Sequence, residues 1–378
     1  MSQMHFQSYK QASWLLSWFA CFFLCGATVW PSCTEAQTTQ AESSLPTKRA
    51  TKQQTEDFED RAVDSISRWG ILRDKGVSES SGLARSAVTD CFWTINDSGS
   101  RTDLFLFLFG DRGKQRARVK LENAVNKDWE AMASFTLAGK HWGVVADIGN
   151  NLRSRETHQL YFFQDPTDAK VPPKSQKDFE KLKSVRALPF KFTYQNLPPD
   201  QAAKDDSDPV KQDCEAMAVD PLTLDIWFVE KVHLNRDRKV VPSIFVLPMP
   251  KAQLASHANR EYGEAIATNE KPTEPVARRI GSFPTRYVSG MSFSPDGKKL
   301  IVRNYLTAHL YIRPEDKTWR QTVVDQKPLT VALPLQSQGE AICFAADSQH
   351  VIVTSEGVRK PIWKIDLQVY FDKFNAKH

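Results

Sequence analysis

The chain has 378 residues, a formal charge of +5 and 25% charged residues, which suits one large domain or two small ones. Acidic and basic residues are interspersed and the surplus is mild for the length, so nothing in the charge calls for a nucleic-acid partner. Of six cysteines, Cys21, Cys25 and Cys33 fall near the start, and Cys91, Cys214 and Cys343 show no metal-site spacing.

Lys10 is the only charge before an apolar run from Trp14 to Trp30. That run fits a signal-peptide core, and Thr34 and Ala36 give a small-x-small pattern, so residues 1–36 read as a leader cleaved after Ala36. The mature protein is then periplasmic or extracellular, or membrane-anchored if the leader is not cleaved. Residues 37–58 read as a solvated, disordered linker, and 59–378 as one domain. For the three later cysteines, buried thiols or one long-range disulfide plus a free thiol both fit.

Five short segments resemble one another: Glu79-Ser-Ser-Gly-Leu83, Trp129-Glu-Ala-Met132, Cys214-Glu-Ala-Met217, Val288-Ser-Gly-Met291 and Gly339-Glu-Ala-Ile342. Each precedes a polar turn and a strand-like run: 91–95, 142–148, 226–231, 299–305 and 350–356. In the first repeat an apolar strand (103–109) and an alternating strand (116–121) follow. Strands graded from buried to exposed and repeated in this way predict an all-β protein, a β-propeller. Five blades account for the repeats, or six if 159–212 hides another. The last repeat runs out after three strands into a short helix (366–374). The missing outer strand is expected from 67–73, so that an N-terminal strand closes the ring.

In a propeller the start of each inner strand and the loop between the second and third strands share one face. That face gathers Glu79, Glu130, Glu215 and Glu340 with Asn96, Asp97, Asp147, Asn150, Glu356 and the basic Arg153, Arg155, Lys231 and Arg303. The acids either accept hydrogen bonds from neighbouring blades or gather around a cation, Ca²⁺ or another divalent ion, with Glu130, Glu215, Glu340 and Glu356 as ligands. The basic residues, with Asn96, Asp97, Asp147 and Asn150, are candidates to bind a small polar or anionic ligand, or else pair with the acids. His158 and His309 are candidate bases near this face. Trp93, Trp129, Trp142 and Trp227 are expected to pack between blades. No G-x-S-x-G, H-E-x-x-H or P-loop pattern is present.

The segments SSGLA with CFWTINDSG, DWEAMA, DCEAMAVDP, and GEAICF with VIVTSEG resemble the phytase-like, esterase-like β-propeller proteins of bacteria, over roughly 79–357. The resemblance implies a propeller and a divalent ion serving phosphoester or ester hydrolysis, and it singles out Asp97, Glu130, Glu215 and Glu356. The chain departs from that pattern in DWEAMA, which has no acid at a position where relatives often carry a second one, and in having Ser289 instead of Glu in the fourth repeat. Two functions follow as expectations: an exported propeller that binds a small polar ligand or a cell-envelope partner through one face, or a metal-dependent hydrolase of phosphoesters, esters or lactones.

Overall fold

A computed structural model describes residues 52–97, 104–169, 171–195, 211–232, 241–258 and 274–376. The leader and the first part of the linker lie outside the described residues. Helix α1 (Lys52–Asp64) begins within the stretch read as linker. Its Phe58 packs edge-on against Tyr370 and its Arg61 pairs with Asp372 at 2.8 Å, which gives residues 58–64 a packing partner that composition alone does not reveal.

Strand β1 (Ile66–Ile71) is followed by a first set of four, β2 (Ser80–Arg85), β3 (Phe92–Asn96), β4 (Phe105–Phe109) and β5 (Gln115–Glu122). Next come β6 (Trp129–Leu137), β7 (Lys140–Asp147), β8 (Thr157–Gln164), a short helix α2 (Gln176–Phe179), β9 (Ser184–Arg186) and β10 (Leu188–Tyr194). A third set is β11 (Cys214–Val219), β12 (Ile226–Glu230), β13 (Ser243–Leu247), helix α3 (Lys251–Ala258) and β14 (Val276–Ser282). A fourth is β15 (Gly290–Phe293), β16 (Lys299–Arg303), β17 (Thr307–Ile312), helix α4 (Trp319–Asp325) and β18 (Leu329–Ala332). The chain ends in β19 (Gly339–Phe344), β20 (His350–Ser355), β21 (Pro361–Asp366) and helix α5 (Gln368–Asn375).

The innermost strands β2, β6, β11, β15 and β19 each pack on the next, and β19 packs back on β2, so these strands close a ring among the described residues. The protein is a β-propeller. As expected, β1 pairs with β21 and completes the last blade. The stretch 159–212 holds no sixth blade within its described part: β8 and β10 finish the second, and β9 adds parallel to β5 at the edge of the first. Strand β10 also pairs parallel with β14 through Thr193 and Tyr194, fusing the second and third blades into one eight-stranded sheet. Residues Ala50–His378 form one compact unit.

Packing between blades supplies the core. Strands β3, β11, β12 and β19 are buried along their whole length, β3 and β12 as their β-branched and aromatic runs require. Phe107, Phe162, Phe228 and Phe245 are fully buried, each contributing on the order of 1.5–3 kcal/mol. Trp93, Trp129, Trp142 and Trp227 are buried between blades. On the far face the Trp93 indole donates to Asp165 at 3.0 Å. Gly297, at φ +67°, closes the Ser294-Pro-Asp-Gly turn that a side chain would strain. Cys91, Cys214 and Cys343 are all buried free thiols. Among the described residues no helix is long and apolar enough to cross a membrane.

Candidate functional site

The pairs Trp129–Asp147, Cys214–Glu230 and Gly339–Ser355 put the start of each inner strand beside the end of the second strand. The pairing register slips there in four blades, at Ser81, Glu130, Glu215 and Glu340–Ala341. A β-bulge leaves the extra residue outside the ladder and re-aims its side chain. The sequence thus offers the bulge position a serine in the first and an acid in the second, third and fifth blades. In the fourth blade Ser289 lies just before β15.

The two serines act as ties between blades: Ser81 Oγ donates to Trp129 O at 2.8 Å and Ser289 Oγ to Gly339 O at 3.0 Å. Glu79 therefore sits two residues before the bulge, in register with Asp128 and Asp213 and not with Glu130. A second recurring position is marked by one backbone hydrogen bond: Asp97 N to Glu79 O, Gly149 N to Asp128 O, Lys231 N to Asp213 O and Glu356 N to Gln338 O.

These positions meet at one mouth of the channel. One carboxylate oxygen each from Asp97, Asp128 and Glu130 lies within 4.8 Å of the others. Two oxygens on opposite sides of a Ca²⁺ at about 2.4 Å are about 4.8 Å apart, so all three can touch one such ion. Glu130 is 4% exposed, so its carboxylate meets those of Asp97 and Asp128 largely out of water. Burial, reinforced by Glu215, Asp97, Glu340 and Asp128, holds its pKa well above the usual range. Burial and the charges of Asp97 and Asp213 push Asp128 up to about 7, against Arg155.

Beside this trio Glu215 is paired with Lys231, whose ammonium stands 5.5 Å over the Tyr305 ring. Burial pushes Glu215 up to about 7 in spite of Lys231. Burial alone would lower Lys231, but Glu215, Tyr305 and Glu340 carry it above its ordinary value. Burial raises Glu340, with the charges of Glu215 and Glu356 adding to it, and burial likewise raises Glu356. Among the described residues the mouth is thus an excess of carboxylates around Lys231, and Glu130, Glu215, Glu340 and Glu356 share it.

The basic residues predicted to clamp an anion are engaged inside the fold. Arg155 pairs with Asp147 at 2.7 Å and donates to Gly149 O and Asp147 O. Arg153 donates to Lys211 O at 2.6 Å. Arg303, with no exposed surface, donates to Ala341 O, Thr354 O and Gln336 Oε1. Asn96 accepts from Ser78 N and Glu79 N and donates to Gly76 O, which braces the segment leading into β2. Asn150 donates to Gln212 O and Arg155 O, and its N–H donates to Asp213 at 2.8 Å. Arg153, Arg155 and Arg303 thus brace the segments that carry the acids. His158 is buried against Phe192 and Tyr194, which pushes it down to about 3; it is a core residue. His309 pairs with Val302 along the sheet, away from the bulges, and burial lowers its pKa.

Sequence reasoning missed Asp128, Asp213, Tyr305 and Gly149. The first two had a signal, since the pattern Asp-x-Glu-Ala-Met occurs twice, at 128–132 and 213–217. Gly149 stands where other blades carry Asp97, Lys231 and Glu356, and the space left by its missing side chain is filled by Asp128 and Glu130.

No protein-family model and no curated protein matches this chain. Among solved structures it is similar to the PQQ-bound aldose sugar dehydrogenase of Streptomyces coelicolor, at 9% identity and a TM-score of 0.40, over 80% of this chain and 97% of that one. A glucose dehydrogenase-type oxidoreductase of Thermus thermophilus gives 10% and 0.39, over 79% and 99%. A nidogen/laminin complex gives 10% and 0.34, over 74% and 73%. No residue role passes to this chain from likenesses at this level.

The charge excess has a measurable consequence in cation-free protein. A carboxylate with a raised folded pKa contributes stability that is complete below its unfolded pKa and is lost as pH rises through the folded one. For Asp128 and Glu215 that window runs from about 4 to about 7. His158 acts oppositely: its folded pKa is depressed, so its contribution is present above about 6.5 and lost as pH falls towards about 3. From pH 6.5 to 8.5, then, Tm in chelator should fall. Glu130→Gln should flatten that fall and stabilise the protein at pH 8 by on the order of 1–3 kcal/mol, the usual penalty of an uncompensated buried polar group. A thermal-unfolding series in which wild type stays level and the variant melts lower would contradict this.

Proposed function

We propose that this chain is an exported β-propeller that holds a divalent cation between Asp97, Asp128 and Glu130 and through it binds a small polar, anionic ligand. The observation that carries the reading is Glu130, a buried carboxylate held within 4.8 Å of two further carboxylates. Such a group needs a proton or a cation. A hard, oxygen-ligated ion such as Ca²⁺ suits the all-carboxylate donor set. Once the acids are neutralised, the open side of the ion is where an oxyanion would sit. The test is elemental analysis and calorimetry on residues 37–378, which include the whole compact unit. Near-stoichiometric Ca²⁺ or another divalent ion is expected, with Asp128→Asn/Glu130→Gln weakening it by about a hundredfold or more. An absence of binding across Ca²⁺, Mg²⁺ and Mn²⁺ would overturn it.

A second reading, metal-dependent hydrolysis, is favoured by Glu215. Its carboxyl, pushed up to about 7 beside Lys231, can take or give a proton near neutral pH. A bound cation would supply Lewis-acid polarisation of an ester or phosphoester, and Lys231 would face the developing negative charge. The phytase-like resemblance points the same way. Activity on a phosphoester, ester or lactone panel that falls about 10²–10⁴-fold in Glu215→Gln, with cation binding retained, would establish it. No turnover with the cation bound leaves the binding propeller as the answer.

A further inference from the structure

Strand β5, near the outer edge of the first blade, also carries a bulge. Phe109 pairs with Gln115 and Leu108 with Ala117, which leaves Arg116 as the extra residue, its side chain re-aimed. The half-buried guanidinium lies 5.6 Å over the ring of Phe179 in α2. Gly110 leaves room for it, since a Cβ there would meet Arg116 Nε at 2.8 Å. That Nε is buried without an acceptor, and among the described residues no carboxylate pairs with Arg116. A cleft of about 330 Å³ opens beside it, lined also by Gln115, Arg118, Gln176, Glu180 and Lys183. Gln176 donates to Arg116 O at 3.0 Å, while its Oε1 is buried without a donor. One cleft thus holds a guanidinium and an amide oxygen with bonding capacity to spare, partners for an oxyanion and a hydroxyl.

The charge around the cleft has one dominant sign. Residues 73–75, 111–122 and 165–187, which form or lead into this edge, hold 13 Lys and Arg against seven Asp and Glu, a surplus of six in a chain whose formal charge is +5. Among the acids, Asp74 pairs with Arg118, Asp111 with Arg112, Asp178 with Lys181 and Asp165 with His141. Asp168 accepts from His141 N, which leaves Glu122 and Glu180. Residues 98–103, outside the described ones and next to Leu104, add Arg101 and Asp103, which cancel. Lys114, Lys120, Lys183 and Arg186 are exposed.

We propose that this edge binds a linear acidic polysaccharide, with one carboxylate or sulfate seated on Arg116 in the cleft and its neighbours spread over the surrounding lysines and arginines. A guanidinium grips an oxyanion through paired N–H donors, and the amides of Gln115 and Gln176 suit sugar hydroxyls. Anionic groups linked in one chain reach separated basic residues together, which a single small anion cannot do. Single-stranded nucleic acid is held on aromatic platforms, and β5, α2 and β9 present no exposed aromatic, Phe179 being buried. The proposal does not depend on a cation at the channel mouth.

Residues 37–378 are titrated by calorimetry, in chelator, with polygalacturonate, dextran sulfate, polyglutamate and duplex DNA. Binding to polygalacturonate or dextran sulfate is expected, weakened by salt and tighter than to polyglutamate or DNA by about tenfold or more. The first two polymers separate carboxylate from sulfate recognition. Arg116→Gln/Lys183→Gln should weaken it by about tenfold or more, whereas Arg320→Gln/Lys327→Gln, which removes the same charge from the fourth blade, should cost less than about twofold. Lys114→Gln/Lys183→Gln, confined to exposed side chains, should weaken it by about threefold or more without lowering the melting temperature. Asp128→Asn/Glu130→Gln should leave it unchanged, so this outcome stands or fails apart from the cation site. Failure to bind either polysaccharide, equal binding to polyglutamate or DNA, or equal losses in the first-blade and fourth-blade pairs would overturn the proposal.

Discussion

Replacing Gly149 with alanine is expected to weaken divalent-cation binding by a hundredfold or more while the propeller stays folded. A Cβ built on Gly149 would lie 2.4 Å from Asp128 Oδ2 and 2.5 Å from Glu130 Oε1, closer than any real contact. Something must move, and the obstructing atoms are the ends of two side chains, which can swing away cheaply. The displaced atoms are therefore the proposed ligands themselves. A hundredfold corresponds to about 2.7 kcal/mol, and misplacing two of three charged ligands is enough for that. Calorimetry with Ca²⁺ reads the affinity, and circular dichroism with thermal unfolding reads the fold. Wild-type affinity in Gly149→Ala would remove the trio from the cation site. Collapse of the fold would show instead that the loop, and not the carboxylates, yields to the clash.

The same glycine shows where sequence reading stops. The repeated segments, their turns and the graded burial of the strands were legible because each depends on local pattern: period-two burial, Pro-Asp-Gly chemistry, one aliphatic anchor per blade. The closing strand was legible because the last repeat came up one strand short. The fused second and third blades were not, because the parallel pair Thr193–Val276 joins segments more than 80 residues apart. Within the site the acids could be found from their recurrence. What could not be found was which charges face the channel and which brace it, since Arg155 and Arg303 are held by backbone carbonyls that no spacing reveals. Asp128 was overlooked because an Asp before a strand reads as a turn residue. Gly149 matters only through atoms brought to it by the register of β6 and β7.

Arg303→Met is expected to destabilise the protein by roughly 1–3 kcal/mol, the range for leaving a buried acceptor without its donor, while changing cation affinity by less than about threefold, under 0.7 kcal/mol. The guanidinium is fully buried at the end of β16 and reaches into the last blade, donating to Ala341 O and Thr354 O. Burial lowers its pKa to about 10, and Glu340 acts against that fall, so it stays a cation at neutral pH. Methionine keeps much of the volume but leaves buried carbonyls without a donor. Against a total stability of about 5–15 kcal/mol for a folded domain that is a large share, and the β15–β19 seam should open first. Arg303→Lys, which keeps the charge and loses the fork, should fall between the two. If Arg303 instead gripped a ligand, the pattern would invert: thermal stability nearly unchanged in Arg303→Met and ligand affinity lost. Denaturant unfolding and cation titration on the same variant decide between beam and clamp.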